Sequence, residues 1–230
     1  MSRRRPVRWS GIARSGAGPA NVGHRGQGLV EFAVVVPVFL LMLLGMLEFG
    51  LAFTNNQALE YATREGARVG AALANGGGPL GCSAGPPIQS PNASTVDPLI
   101  IAAVERVLDS PGSPIANNLA RVPAIHIYKA NANGNEVTGG PVDIWTYNKG
   151  AGPTVDGKAL DYTLSSATWG ACSRQNGDPA DSLGVSLTYS YQMQTGYGAI
   201  LRLFGGAGWS TIQMSDRTVM DLNPTNHNPT

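Results

Sequence analysis

Glu31 is the residue with the clearest chemical consequence in this 230-residue chain, because it is the only charged residue among the nineteen from Leu29 to Leu47. A helix of that length measures roughly 28 Å at 1.5 Å per residue, about the thickness of a hydrocarbon core. An ionised carboxylate at that depth costs a few kcal/mol unless it finds a partner or lies at the interface. Glu31 is therefore a candidate functional residue whose chemistry is charge pairing.

The other polar residues form no recognisable catalytic pattern. The three histidines, His24, His126 and His227, lack metal-ligand spacing, and the chain has no phosphate-binding loop, nucleophile elbow or zinc-protease helix motif. Residues 131–136 lack the aspartates of a calcium loop, so they predict a turn. A secreted or anchored enzyme would need a polar constellation that we do not find. We expect no enzymatic activity, no cofactor, no bound metal and no small-molecule substrate.

The elements that must position Glu31 are a basic arm and an apolar helix. Six arginines and no acidic residue precede Glu31, whereas residues 31–230 carry ten Lys and Arg against fifteen Asp and Glu. Basic residues next to a first span hold that end of the chain in the cytoplasm. The charge pattern predicts a single-pass inner-membrane protein with its N-terminus inside and its C-terminal domain outside, and it gives no sign of nucleic-acid binding.

Two export signals compete with a retained membrane anchor. A secretory signal peptide has a shorter apolar region followed by a small-residue cleavage site, which residues 48–53 do not resemble. A twin-arginine signal would use Arg3 and Arg4, but Pro6 and a long Gly-rich stretch separate them from the apolar run. We therefore predict a basic cytoplasmic leader over residues 1–26 and a transmembrane helix over residues 27–54.

The residues around Glu31 carry a family resemblance. Residues 26–32, GQGLVEF, resemble the processing site of type IV prepilin-like proteins, in which a peptidase cuts after a glycine and the fifth mature residue is glutamate. Together with LEFG at residues 47–50 and the segment 56–68, this run resembles the TadE-like family of minor pseudopilins from tight-adherence (Flp) pilus systems. The resemblance implies cleavage between Gly26 and Gln27. It also implies the membrane, a prepilin peptidase and other pilus or secretion-system subunits as partners.

The resemblance also implies a partner for Glu31, the new terminal amine of a neighbouring subunit, and this pairing would set the stagger of packed subunits. The alternative is a carboxylate that reaches the cytoplasmic interface near Arg25. Pro37 removes one helical hydrogen bond and predicts a kink in the span. The second functional hypothesis is an uncut anchor whose outer domain binds another envelope protein. Such an uncut anchor resembles the larger TadG-like proteins, but the Asp-x-Ser-x-Ser motif of their adhesion domain is absent from this sequence.

The outer part of the chain predicts an α+β fold with an antiparallel sheet. Small apolar residues at helical spacing, from Ala58 to Leu73, extend the first helix through residues 55–74. We expect this stripe to dock the chain's own domain, with a seam between subunits as the alternative. A Gly- and Pro-rich loop is expected over residues 75–97 and an extracytoplasmic α+β domain over residues 98–230. Asp97 is expected to cap a short helix that opens this domain.

The rest of the domain reads mainly as strands. Alternating polar and apolar residues predict them at residues 122–128, 142–147, 185–191 and 212–222. Residues 196–209 are apolar and Gly-rich, and predict either a helical return on the sheet or a surface patch. On the outer side of the membrane, Cys82 and Cys172 are expected to form a disulfide that closes about ninety residues and contributes roughly 4 to 5 kcal/mol. Two free thiols are the alternative.

Overall fold

The computed structural model describes residues 26–73, 93–175, 179–206 and 210–222. Its α-helices are α1 (Gln27–Leu73), α2 (Ala93–Leu108) and α3 (Gly196–Gly205). Its strands are β1 (Ala124–Lys129), β2 (Val142–Tyr147), β3 (Thr154–Val155), β4 (Lys158–Ala159), β5 (Tyr162–Ala167), β6 (Ser182–Gln192) and β7 (Thr211–Asp221). The chain divides into two compact units, Met1–Leu43 and Leu44–Thr230.

The described part of the first unit is the N-terminal portion of α1. Large apolar side chains there are exposed, including Leu29 at 71% and Phe32 at 66%. One 18-residue window of α1 has a mean hydropathy of 2.5 and no buried residue. By length and composition, α1 can therefore cross a membrane.

The second unit is built around a five-stranded antiparallel sheet in the order β5-β2-β1-β6-β7. β1 lies in the middle and pairs with β2 on one side and β6 on the other. Successive side chains of a strand point to opposite faces of the sheet. Ile125 and Ile127 of β1 and Val185 of β6 therefore lie on one face, where they are fully buried against the helices. The fold is therefore α+β with an antiparallel sheet, as the sequence predicts.

The outer half of α1 packs on this sheet through its small residues. A Cβ at Gly66 would lie 2.6 Å from Val104 Cγ2 of α2 and 3.4 Å from Val185 Cγ1 of β6. A Cβ at Gly70 would lie 2.9 Å from a methyl of Leu183. The outer half of α1 thus docks on the chain's own domain. Glycine at these positions permits so close an approach, because it has no side chain.

Two details differ from the sequence expectations. α2 begins at Ala93, before Asp97, so the prediction of Asp97 as the helix cap was wrong. Its carboxylate instead pairs with the Arg174 guanidinium, 2.7 Å away. The strands β3, β4 and β5 were not predicted. For residues 196–209 the sequence left a helix or a surface patch open, and the structure has the helix α3 there.

Candidate functional site

The predicted cleavage site lies where α1 begins. Gly26 is an exposed turn residue, and Gln27 is the first residue of the helix. The Gly26 carbonyl accepts a hydrogen bond from Val30 N at 3.3 Å. A Cβ at Gly26 would meet no atom within 4 Å. Among the described residues, nothing shields the Gly26–Gln27 bond, although its cleavage stays a prediction.

Glu31 lies one helical turn beyond Gln27 and is exposed. Its Oε1 accepts a hydrogen bond from Gln27 Nε2 at 3.1 Å. Among the residues that the structure describes, no cation pairs with Glu31. One bond from a neutral amide leaves most of the charge of a carboxylate uncompensated, so Glu31 keeps the capacity to bind an amine. Arg25, its alternative neighbour, lies outside the described residues.

Pro37 and Cys172 are two further predicted site positions among the described residues. Pro37 lies inside the continuous helix α1, and a kink there stays a prediction. Cys172 is exposed in the 3-10 turn Ala171–Ser173, whose first residue is buried, and the structure leaves no described cysteine free. Cys82 lies outside the described residues, so the disulfide between the two also stays a prediction.

Glu48 is a site residue that the sequence reasoning missed. It is only 3% exposed although it follows directly on the apolar run. Its Oε1 accepts hydrogen bonds from the Tyr191 hydroxyl and from Gln194 N at 2.9 Å. Its Oε2 accepts from the Thr195 hydroxyl and from Thr195 N, again at 2.9 Å. Four donors on one buried carboxylate satisfy most of its acceptor capacity, and no Lys or Arg of the described residues forms an ion pair with it.

The Glu48 bonds fix the place where β6 ends and α3 begins. Thr195 is the N-cap of α3, and its hydroxyl oxygen also accepts a hydrogen bond from Tyr197 N at 3.2 Å. The Tyr197 ring lies 3.8 Å from the position that a Cβ of Gly45 would occupy. Glu48 and Gly45 are one turn apart on α1, so α3 is attached to the end of the apolar segment by polar and apolar contacts. The signal in the sequence was a second acidic residue at the edge of that segment.

A third contact ties α1 to the far edge of the sheet. The Thr63 hydroxyl donates to the Asp216 carboxylate of β7 and lies 3.0 Å from the Thr218 hydroxyl. Thr63 is fully buried. α1 therefore contacts β7, the last strand of the sheet, as well as β6.

A buried ionic cluster holds the turn that carries Cys172. Arg174 is fully buried, its guanidinium lies 2.7 Å from Asp97 and 3.2 Å from Asp143, and it stacks 4.8 Å from the centre of the Trp169 ring. Burial raises the pKa of Asp97 from 3.8 to about 6, against the lowering effect of Arg174. The cluster connects α2 and β2 to the turn, which gives it a structural role.

Glu105 is a second buried carboxylate, on α2. It is 2% exposed, and its Oε1 accepts a hydrogen bond from Asp161 N at 2.7 Å. Burial raises the pKa of Glu105 from 4.5 to about 7, although the bond from Asp161 favours the ionised form. It therefore releases a proton near neutral pH.

The described residues contain no group of three or more His, Cys, Asp and Glu side chains that could hold a metal ion. His126 instead lies 2.9 Å from the Glu136 carboxylate, and the Asn131 side chain closes a turn by accepting from Asn133 N and Asn135 N. The expected turn at residues 131–136 is therefore confirmed. His24 and His227 lie outside the described residues.

The comparison with family models bears on the segment that contains Gly26, Glu31 and Glu48. A family model described as "TadE-like protein" matches residues 26–68. This segment is TadE-like. The match begins at the predicted cleavage glycine and covers most of α1, which confirms the resemblance drawn from the sequence. No curated protein and no solved structure matches the chain.

Proposed function

We propose that this protein is a minor pseudopilin-like component of a tight-adherence (Flp) pilus assembly or secretion system, processed after Gly26 and held in the inner membrane by α1. The observation that carries the proposal is the TadE-like match over residues 26–68, which coincides with a helix long and apolar enough to span a membrane. The basic leader supports an N-terminus inside and an outer α+β domain. TadE-like proteins are structural components associated with pili, so we propose no catalytic role.

Processing is supported by the position of the Gly26–Gln27 bond. The bond is exposed at the start of α1, and the mature chain would begin with a helix whose fifth residue is Glu31. Mass and N-terminal sequence of the protein from membranes, with and without the candidate prepilin peptidase, test this step. A mature chain that begins at Gln27 only when the peptidase is present supports it. An intact Met1 terminus in both cases would favour the uncut anchor.

Two glycines provide a matched pair of variants for the same step. A Cβ would meet no atom within 4 Å at either Gly26 or Gly28, so neither Gly26→Val nor Gly28→Val disturbs packing in the described residues. We expect Gly26→Val to block cleavage, because the peptidase would need a residue without a side chain at this position. Gly28→Val should still be cut. Equal processing of the two variants would contradict the assigned site.

The role proposed for Glu31 is to pair with the new amine of a neighbouring subunit. Its exposed carboxylate, with only the Gln27 amide as a described partner, supports that role. Glu31→Ala should still insert and be cut, but it should not enter the pilus or the assembly complex. Glu60→Ala on the exposed face of the same helix is the control. Normal incorporation of the Glu31→Ala variant into the pilus or the assembly complex would contradict the pairing hypothesis. It would not bear on the proposed cleavage after Gly26.

A further inference from the structure

We infer that α3 is an interfacial helix that contacts the outer leaflet of the membrane through the face that carries Leu203. The outer domain then has a second lipid contact besides α1. The inference rests on the proposed membrane span, and it does not depend on cleavage or on a role in pilus assembly.

The first observation is where α3 is attached. Its N-cap, Thr195, is bonded to Glu48, and Tyr197 in its first turn packs at Gly45. Gly45 belongs to the apolar run that ends at Leu47. Since that run is the segment expected in the hydrocarbon core, the first turn of α3 lies at the outer boundary of the core.

The second observation is that α1 stays apolar beside α3. Glu48 faces the domain, but residues on the other sides of the same turns are exposed and apolar, with Met46 at 70%, Phe49 at 74% and Phe53 at 52%. Such a surface is stable in lipid and costly in water. The membrane contact of α1 therefore continues past Glu48 on the sides that the domain leaves open, at the level where α3 is attached.

The third observation is the outer face of α3 itself. Leu203 is 83% exposed, and the other exposed large apolar residues of the described chain after α1 are exposed by half or less: Leu164 at 48%, Val137 at 46% and Ile212 at 40%. Ile212 is the second residue of β7, the strand that follows α3, and it pairs with Tyr191, whose hydroxyl is bonded to Glu48. Two of these four residues thus lie near the end of the apolar segment.

The charge of α3 fits an anionic lipid surface. The helix contains no acidic residue, and its single charge is Arg202 in the last turn. Arg202 is exposed and donates a hydrogen bond from Nε to Ser210 Oγ at 2.9 Å. With no acidic residue to repel anionic headgroups and one basic residue beside Leu203, the helix can lie in the headgroup region with its apolar face about 5–10 Å below the surface.

The test uses the full wild-type chain in vesicles of phosphatidylethanolamine and phosphatidylglycerol that contain a lipid with a photoreactive diazirine on its acyl chain. After illumination and digestion, mass spectrometry locates the lipid adducts. We expect adducts in the apolar part of α1 and in residues 196–206, at a yield severalfold above that of the peptide with Leu164. Leu164 is the control because it lies in β5, at the opposite edge of the sheet from β7.

Paired variants complete the experiment. Leu203→Asn should lower the adduct yield in α3 severalfold without changing that in α1, whereas Leu164→Asn should change neither. Adducts in α1 together with a background yield in α3 would overturn the inference. Absence of adducts in α1 would contradict the membrane span, and with it both this inference and the proposed anchoring.

Discussion

Replacement of Glu48 tests how much its buried carboxylate contributes to holding the junction of β6 and α3 against α1. Glu48→Ala removes the acceptor of four hydrogen bonds and leaves Gln194 N and Thr195 N without their partner. A donor that loses its partner inside the protein costs about 1–3 kcal/mol, so the two amides together cost about 2–6 kcal/mol. For a domain of this size, each kcal/mol shifts Tm by roughly 2–4 °C, so we expect a decrease of roughly 4–24 °C.

The assay is thermal unfolding of the full chain in lipid nanodiscs, followed by near-UV circular dichroism of the buried Trp145 and Trp169. Glu48→Gln keeps one acceptor oxygen and should fall between the wild type and Glu48→Ala. Glu60→Ala is the control, because Glu60 is half-exposed in a surface pair with Arg64 and should shift Tm by less than about 4 °C. If Glu48→Ala lowers Tm no more than Glu60→Ala does, the carboxylate does not hold the domain.

Three other predictions concern packing, pH and the cysteines. Gly66→Ala should destabilise by about 1–3 kcal/mol in chemical unfolding, because the new methyl meets α2, whereas Gly50→Ala, with open space around it, should not destabilise. Glu105 binds its proton more tightly in the folded state, so its contribution to stability is present below pH 4.5 and is lost as the pH rises to about 7. The free energy of unfolding of Glu105→Gln should therefore fall less than that of the wild type across this window, and parallel profiles would contradict the burial of the charge. Non-reducing peptide mapping should recover Cys82 and Cys172 in one linked fragment, and free thiols at both would remove the predicted disulfide.

The elements that follow from periodicity were predicted well. The apolar run and the small-residue stripe define α1, which ends at Leu73 where residue 74 was expected. β2 matches its predicted residues 142–147, because its side chains alternate between a buried and a more open face. Local pattern suffices for these elements since each one has a single face in the core.

Other features depend on contacts that local pattern does not contain. β5 was missed because only its first residue, Tyr162, is buried, and it is an edge strand held by pairing with β2. The predicted start of α2 was wrong because the Asp97 side chain forms an ion pair with Arg174, a residue far along the chain, and does not cap the helix. The burial of Glu48 likewise requires Tyr191 and Thr195, whose positions only the complete sheet determines.

The attachment of α1 to the last strands also determines the order in which the domain can fold. The bond between Glu48 and Tyr191 spans 143 residues, and that between Thr63 and Asp216 spans 153. Contacts at such separation form late, because the chain between them must first be ordered. In the proposed membrane orientation, α1 would enter the membrane first, and its small-residue stripe would stay uncovered until β6 had also crossed. The outer half of α1 would thus be made first and buried late, and a chain that stops before β7 would leave Thr63 without its two partners on that strand.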